Sequence, residues 1–143
     1  MTVAAILKHK GRDVASVRPT TTVTDLARLL SERKIGAVVV QDNAGQLLGI
    51  VSERDIVHAI AAHGPMSLAM SAAQLMTRAV RTATPTTSVC DAMNMMSSGR
   101  FRHLPVIEHG RMVGIISIGD VVKARITQQE HEVDSLKAYV AGN

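Results

Sequence analysis

Side chains that could contact a ligand stand in four pairs, each a hydroxyl residue followed three positions later by an aspartate: Thr22 and Asp25, Ser52 and Asp55, Ser88 and Asp91, and Ser117 and Asp120. Such a pair forms a capping box at a helix N-terminus, where each side chain accepts a hydrogen bond from the other residue's backbone N–H. A pair that directly follows a strand can also turn its carboxylate toward a cleft, where it accepts hydrogen bonds from ligand hydroxyls. We interpret the first and third pairs as caps only. For the second and fourth pairs, ligand contact and capping alone both stay open.

The sequence offers no arrangement typical of catalysis. It contains no nucleophile elbow, no carboxylate pair at a recognised spacing, no glycine-rich loop followed by Lys-Ser/Thr and no Cys-His arrangement. His103 has no second His, Cys or carboxylate at ligand spacing, so no metal site is predicted. The single cysteine, Cys90, stands among Ala92, Met93 and Met96 in a predicted helix, where we expect a buried structural thiol beside core methionines. We expect a protein that is not an enzyme and uses no catalytic cofactor.

The residue order from Pro19 to Val57 is repeated from Pro85 to Val122. The copies share Pro-Thr-Thr at an offset of 66 residues, and at an offset of 65 both end on Gly-apolar-apolar-Ser-x-x-Asp, at residues 49–55 and 114–120. An internal repeat of this kind predicts a pseudo-symmetric architecture. Each copy alone would be a marginal folding unit, so we expect the two to share one core.

Each copy has the pattern helix, strand, strand, helix. In the first, the spacing predicts a helix from Thr22 to about Lys34 and a hairpin of strands at 37–41 and 47–51. A second helix should run from Ser52 to about Ala62, with Ile56, Val57 and Ile60 facing inward. In the second copy the same order predicts helices capped by Ser88 and Ser117 and strands at 104–107 and 112–116. The fold class is α/β, of the α+β type.

The domain organisation follows from the repeat. We predict repeat 1 at residues 1–62, a linker at 63–70, repeat 2 at 71–128 and a C-terminal helical tail at 129–143. A short lead-in helix at 3–7 is matched with residues 71–75, each before an extended Val17 or Val80. The tail helix has an apolar stripe that needs a surface, either on this module or on a second copy of it.

Composition excludes several classes of protein. The 143 residues are 46% hydrophobic, with no stretch of about 18 apolar residues and too short an apolar start for a signal peptide. We therefore expect a cytoplasmic protein without a membrane partner. The net charge is +4, which a nucleic-acid-binding protein could carry, but Lys and Arg are scattered and only one Phe and one Tyr are present. We therefore do not expect nucleic-acid binding.

The paired units resemble CBS domains, and the chain as a whole resembles a stand-alone bacterial CBS pair, or Bateman module. The resemblance covers nearly all of the chain. The residues that carry it are the two Gly-apolar-apolar-Ser-x-x-Asp endings and Arg102-His103-Leu104-Pro105-Val106, which opens a strand of the second copy.

The resemblance implies a regulatory module that binds an adenosine ligand, namely AMP, ADP, ATP, NAD or S-adenosylmethionine, in clefts between the two repeats. A carboxylate can accept hydrogen bonds from both hydroxyls of a ribose, which is the role implied for Asp55 and Asp120. Ser52 and Arg54, at the start of a predicted helix, suit a phosphate. The segments matching the family's adenine slot, with neighbouring residues, complete the predicted set: Ile35, Gly36, Ala37, Val38, Arg100, Phe101, Arg102, His103, Leu104, Pro105 and Ser117.

The two copies differ in charge at these positions. The first has Glu53-Arg54 where the second has Ile118-Gly119, so the two clefts should not be equivalent. In the second copy Arg102 either reaches a phosphate or is solvated, and His103 either contacts the ligand or is an ordinary, partly buried histidine.

The resemblance also implies signalling by a conformational or assembly change, a homodimer and an unidentified effector protein. Two other classes remain open: a ligand-free interaction module and, less favoured, a nucleic-acid-binding protein.

Overall fold

The computed structural model describes residues 1–142 and has a mixed α+β fold, as predicted. Contacts divide the chain into two compact units. The first-repeat unit comprises residues 13–81 with 109–112, and the second-repeat unit comprises residues 1–12, 82–108 and the chain from 113 onward. No helix within residues 1–142 is long and apolar enough to cross a membrane.

The first-repeat unit is built on a three-stranded sheet of order β1-β2-β3. Strand β1 (Ser16–Val17) runs parallel to β2 (Ala37–Gln41), and β2 pairs antiparallel with β3 (Leu47–Ser52). The predicted hairpin is therefore confirmed. The helices are α2 (Val23–Arg33), α3 (Glu53–His63) and the short α4 (Ala72–Leu75), with a 3-10 helix at Gly64–Ala69.

The second-repeat unit contains α1 (Val3–Lys10), α5 (Val89–Gly99), the paired strands β4 (His103–Glu108) and β5 (Arg111–Ser117), and α6 (Ile118–Ala141). His109 and Gly110 join the strands with φ values of 52° and 77°, as a two-residue hairpin turn requires. The predicted tail is not a separate helix, because α6 runs for 24 residues from its cap at Ser117 without a break.

The lead-in helix α1 packs in the second-repeat unit. The Val3 amide donates to the Thr87 carbonyl at 2.8 Å and the Ala4 amide to the Pro85 carbonyl at 2.9 Å. The predicted repeat 1, residues 1–62, is thus divided, with residues 1–12 in the other unit. The physical reason is that the first amides of a helix have no intrahelical partner, and here the Pro-Thr-Thr segment of the second repeat supplies the acceptors.

The same arrangement recurs in the first-repeat unit, where α4 is the lead-in helix. The Ala72 amide donates to the Thr21 carbonyl at 2.8 Å and the Ala73 amide to the Pro19 carbonyl at 3.0 Å. Ala72 therefore occupies the position of Val3, one residue away from the predicted match of Val3 with Ser71. The repeated Pro-Thr-Thr segment thus has a structural role, which is to cap a lead-in helix.

The predicted linker at 63–70 is mostly helical. His63 ends α3 and Gly64–Ala69 forms the 3-10 helix. The buried Ser67 hydroxyl donates to the Gly64 carbonyl at 2.7 Å, and the Thr24 hydroxyl donates to the Leu68 carbonyl at 3.0 Å. These bonds hold the segment within the first-repeat unit.

Each unit has its own hydrophobic core, so the expectation that the two copies share one core is wrong. Val23, Leu26, Val38 and Val51 are fully buried in the first-repeat unit. The other core contains Leu7, Val89, Met96, Leu104 and Ile116, with Met93 and Met95 packed against it, so the prediction of core methionines is confirmed.

Three apolar or thiol positions differ from expectation. Ile56 is buried as predicted, but Val57 is 61% exposed and Ile60 46% exposed, because α3 buries Ile56 and Ala59 instead. Cys90 is exposed, since α5 buries Val89 and Ala92 on either side of it. On a helix these positions are about 100° away from the buried face.

The extended position before the second repeat also differs. The predicted Val80 lies outside any strand, and the parallel bridge forms between Ala83 and Val106. The Ala83 amide donates to the Pro105 carbonyl at 2.9 Å, and the Ile107 amide donates to the Ala83 carbonyl at 2.8 Å. Ala83 thus takes the place that Val17 holds beside β2.

Candidate functional site

Strand β3 turns into α3 at Ser52, where the reciprocal capping box is complete. The Ser52 amide donates to Asp55 Oδ2 at 2.8 Å, and the Asp55 amide donates to Ser52 Oγ at 3.4 Å. Ser52 Oγ also donates to Asp55 Oδ2 at 3.1 Å. The Glu53 amide, the first of the helix, donates to the Gly36 carbonyl at 2.9 Å. The structure therefore joins two of the predicted site segments, 35–38 and 52–55, in one strand-to-helix corner, which we call the first corner.

The second-repeat unit contains the equivalent corner between β5 and α6. The Ser117 amide donates to Asp120 Oδ2 at 2.8 Å, and the Asp120 amide donates to Ser117 Oγ at 3.1 Å. The Ile118 amide donates to the Arg102 carbonyl at 2.8 Å. This second corner brings segment 100–105 to segment 117–120 by the same backbone bond.

The other two hydroxyl–aspartate pairs are simpler caps. Thr22 Oγ1 accepts from the Asp25 amide at 3.3 Å, and Ser88 Oγ accepts from the Asp91 amide at 2.9 Å. The capping predicted for these pairs is confirmed. Among the four aspartates, only Asp55 and Asp120 accept a hydrogen bond from the backbone amide of the capping residue. Asp25 Oδ1 instead lies 3.3 Å from Arg28 Nη1.

A residue absent from the sequence-based set, Lys10, lies at the second corner. Its ammonium group is 2.7 Å from Asp120 Oδ2 and donates to the Ile115 carbonyl at 2.9 Å. Burial alone would raise the pKa of Asp120, but hydrogen bonds from Lys10 and Ser117 and the positive charge of Lys10 outweigh it and lower that pKa. No sequence signal pointed to Lys10, because it is 110 positions away from Asp120 and has no repeated partner.

The glycine that opens each repeated ending allows a close approach. A Cβ at Gly49 would lie 2.8 Å from the Thr77 carbonyl oxygen and 2.8 Å from Met76 Sδ. A Cβ at Gly114 would lie 2.5 Å from Leu7 Cδ2 in α1. Gly49 is therefore required by a backbone oxygen of the segment packed on the strand, whereas at Gly114 the close contact is with the end of a side chain.

The predicted arginines are exposed, and one of them has a backbone role. Arg54, Arg100 and Arg102 all lie at the surface. Arg100 ends α5 in the left-handed conformation, with a φ of 56°, as Lys34 ends α2 with a φ of 54°. These arginines can reach an anion by side-chain rotation, since their guanidinium groups are not held in a core.

The apolar members of the predicted set divide by burial. Ala37, Val38, Leu104 and Pro105 are buried in strands. Ile35, Gly36, Phe101 and His103 are partly exposed. Any contact between a ligand and these segments would therefore use the residues at the strand start rather than the strand interior.

An open groove of about 470 Å³ lies on the first-repeat unit between α2 and α3. From the predicted set it is lined by Ile35 and Gly36, together with residues of the two helices: Ala27, Leu30, Ser31, Lys34, Glu53, Ile56 and Val57. Ser52, Arg54 and Asp55 are not part of its lining. Within residues 1–142 no three His, Cys, Asp or Glu side chains are grouped as a metal site would require.

Comparison with known proteins identifies the same two repeats. The family model described as CBS domain matches residues 5–62 and 72–127. CBS domain-containing protein CBSX3, mitochondrial, from Arabidopsis thaliana is 36% identical over 149 residues, which cover 99% of this chain and 72% of that protein.

Solved structures show the same fold. The CBS-domain containing protein ATU1752 from Agrobacterium tumefaciens is 48% identical, with a TM-score of 0.85 over 87% of this chain and 99% of the other. CBSX2, solved in complex with AMP, is 27% identical, with a TM-score of 0.73 over 90% of this chain and 98% of the other.

Proposed function

The chain belongs to the CBS domain family and carries a pair of CBS repeats, and from this premise we propose that it is a regulatory module that binds an adenosine nucleotide. The observation that carries the proposal is the pair of equivalent corners, each presenting a partly exposed aspartate at a helix N-terminus. Support also comes from CBSX2, a similar structure that was solved with AMP.

The chemistry of the first corner fits a nucleotide. Asp55 Oδ2 accepts both bonds from Ser52, which leaves Oδ1 available to accept from a ribose hydroxyl. The N-terminus of α3 carries a partial positive charge, and the exposed Arg54 stands in its first turn. We therefore assign the ribose to Asp55 and the phosphate to Arg54 and the helix N-terminus.

The two corners should bind with unequal affinity. Within residues 1–142 Asp55 has no ion pair, whereas Asp120 is paired with Lys10. The second corner also has Gly119 at the position of Arg54. Lys10 binds Asp120 Oδ2, and its positive charge makes the carboxylate a weaker acceptor for a ligand hydroxyl at Oδ1, so we propose that the first corner is the tighter site.

Regulation would follow from a population shift. A nucleotide that binds one conformation or assembly state better than another raises the population of that state, which an effector protein can recognise. This role requires no catalysis. Several finer points stay predictions: the identity of the adenosine compound, the stand-alone bacterial nature of the protein, its cytoplasmic location, its assembly as a homodimer and its effector protein.

Isothermal titration calorimetry tests the proposal with AMP, ADP, ATP, NAD and S-adenosylmethionine, and with GTP as a purine control. We expect at least one adenosine compound to bind and GTP not to bind. Asp55→Ala should weaken binding at the tighter site at least tenfold. Asp25→Ala is the matched control, since Asp25 also stands third in a helix but outside a corner, and it should bind as the wild type does.

A thermal unfolding series gives an independent measurement. A ligand at 100 times its dissociation constant stabilises the folded state by about 2.7 kcal/mol, which raises the unfolding midpoint by several degrees. If none of the adenosine compounds binds or raises the midpoint, the alternative function, a ligand-free interaction module, replaces this proposal. Equal loss in Asp25→Ala and Asp55→Ala would contradict the assignment of the ribose.

A further inference from the structure

The second half of α6 is uncovered in the structure. Val121, near the helix start, is fully buried, and α6 packs against α1 and α5. From Gln129 to Gly142, by contrast, every residue is exposed. The chain therefore continues a regular helix for several turns beyond the core that stabilises its start.

The uncovered part carries a regular apolar stripe. We define the α6 stripe as the residues that alternate at spacings of four and three: Val122, Ile126, Gln129, Val133, Leu136 and Val140. Its five apolar members are between 42% and 67% exposed. Spacings of four and three are those of positions a and d in a coiled-coil heptad, with Ile126, Val133 and Val140 at a and Val122, Gln129 and Leu136 at d. β-Branched residues at a favour two strands when Leu stands at d, as it does at one d position here, Leu136.

The charges beside the stripe complement a second copy of themselves. The e positions hold Glu130 and Lys137, and the g positions include Arg125 and Glu132. In a parallel pair each g residue faces the e residue five positions further along the other helix. Arg125 would thus face Glu130 of the second copy, and Glu132 would face Lys137 of the second copy. Both contacts join opposite charges, and symmetry repeats each of them.

Gln129 indicates the direction of the pair. In a parallel, in-register pair it lies opposite Gln129 of the second copy, and the two amides can donate to and accept from one another. In an antiparallel pair each d residue faces an a residue, and all three a residues here are apolar. The amide would then be buried without a partner, which is unfavourable.

We propose that the α6 stripe is the interface with a second copy of this chain, packed as a parallel two-stranded coiled coil. The stripe spans about 27 Å at 1.5 Å per residue. A helix pair this short is marginal on its own, and here the packed start of α6 holds each helix in place. The proposal does not depend on nucleotide binding.

Sedimentation equilibrium of the full chain tests the interface. We expect the wild type to be a dimer and Leu136→Glu to weaken self-association at least tenfold. Ala138→Glu is the matched control, because Ala138 is an exposed residue on the opposite face of the same turn, and it should remain a dimer. A cooperative thermal transition in both variants shows that the units remain folded. A monomeric wild type, or a Leu136→Glu variant that dimerises as well as the wild type, overturns the proposal.

Charge reversal tests the partner contacts. Glu132→Lys places a lysine against Lys137 of the second copy and should weaken the dimer, although it also removes the 3.3 Å bond that Glu132 accepts from Gln128. Adding Lys137→Glu in the same chain restores opposite charges and should restore the dimer. If the double variant is as weak as the single one, the parallel pairing is wrong.

Cross-linking tests the direction. In a Cys90→Ser background, Val140→Cys should form a disulfide between copies with oxidised glutathione as the electron acceptor, because the two Cα atoms of an a layer lie within about 7 Å. Ala138→Cys should not cross-link at a comparable rate. In an antiparallel pair the two copies of residue 140 lie at opposite ends, so failure of Val140→Cys to cross-link overturns the parallel arrangement.

Discussion

Lys10 Nζ lies 2.7 Å from Asp120 Oδ2, and the two side chains are 37% and 26% exposed. The contact exists because α1 runs for eight residues, whereas its counterpart α4 runs for four. The extra turn of α1 places Lys10 at the second corner, whereas the shorter α4 contains no lysine that could pair with Asp55. Two corners with the same backbone bonds thus differ in charge.

The ion pair predicts how stability depends on pH. The pKa of Asp120 in the folded protein is lowered from its ordinary value of 3.8. The ionised carboxylate therefore stabilises the fold above that ordinary value, and this contribution is lost as the pH falls through the lowered folded pKa. Asp120→Asn should reduce the free energy of unfolding near neutral pH by about 1 kcal/mol, and the reduction should shrink in acid. Urea unfolding of both proteins across this pH range measures it, and a difference that grows in acid would show that the pKa is raised.

Removing Lys10 should change ligand binding at the second corner. In an Asp55→Ala background, Lys10→Met removes the ammonium group from Asp120 Oδ2 and so makes the carboxylate a stronger acceptor, and we expect adenosine to bind several-fold more tightly in calorimetry. Lys8→Met, an exposed residue of the same helix, is the control and should have no effect. This prediction rests on the proposed nucleotide function. Weaker binding in Lys10→Met would mean that the ammonium contacts the ligand itself.

Two glycine substitutions should change stability in opposite directions. Gly49→Ala places a Cβ 2.8 Å from a backbone oxygen of Thr77, which cannot move without disturbing the strand, so we expect a loss of about 1 to 3 kcal/mol. Gly119→Ala meets only Ser117 Oγ at 3.6 Å and lies inside α6, so it should gain up to about 1 kcal/mol. Chemical denaturation decides the matter, and a neutral Gly49→Ala would disprove the close approach.

Cys90 should react readily in the folded protein. Its side chain is exposed on α5, so we expect one thiol to be modified by a disulfide reagent before unfolding, at a rate close to that in urea. Since the thiol does not pack in the core, Cys90→Ser should change the free energy of unfolding by less than about 0.5 kcal/mol. Protection of the thiol until the protein unfolds would restore the buried position predicted from the sequence.

Local patterns predicted the secondary structure well. Thr22, Ser52, Ser88 and Ser117 each cap the helix that was expected after them, because a cap depends on residues only three apart. The hairpin of β2 and β3 followed from its β-branched run and turn for the same reason. The predicted burial of Val57 and Cys90 was wrong. Each lies one residue away from a buried position, because α3 and α5 carry more apolar residues than their buried faces can hold.

The sequence by itself determined the duplicated order of elements, the four caps and the two corner motifs, because each depends on neighbours along the chain. Only the tertiary structure decided which unit each lead-in helix joins, since the Thr87 carbonyl that accepts from Val3 is far away in sequence. It also decided that Lys10 neutralises Asp120 and that the second half of α6 is uncovered. These relationships depend on packing between distant segments, and no local residue pattern encodes the distance between them.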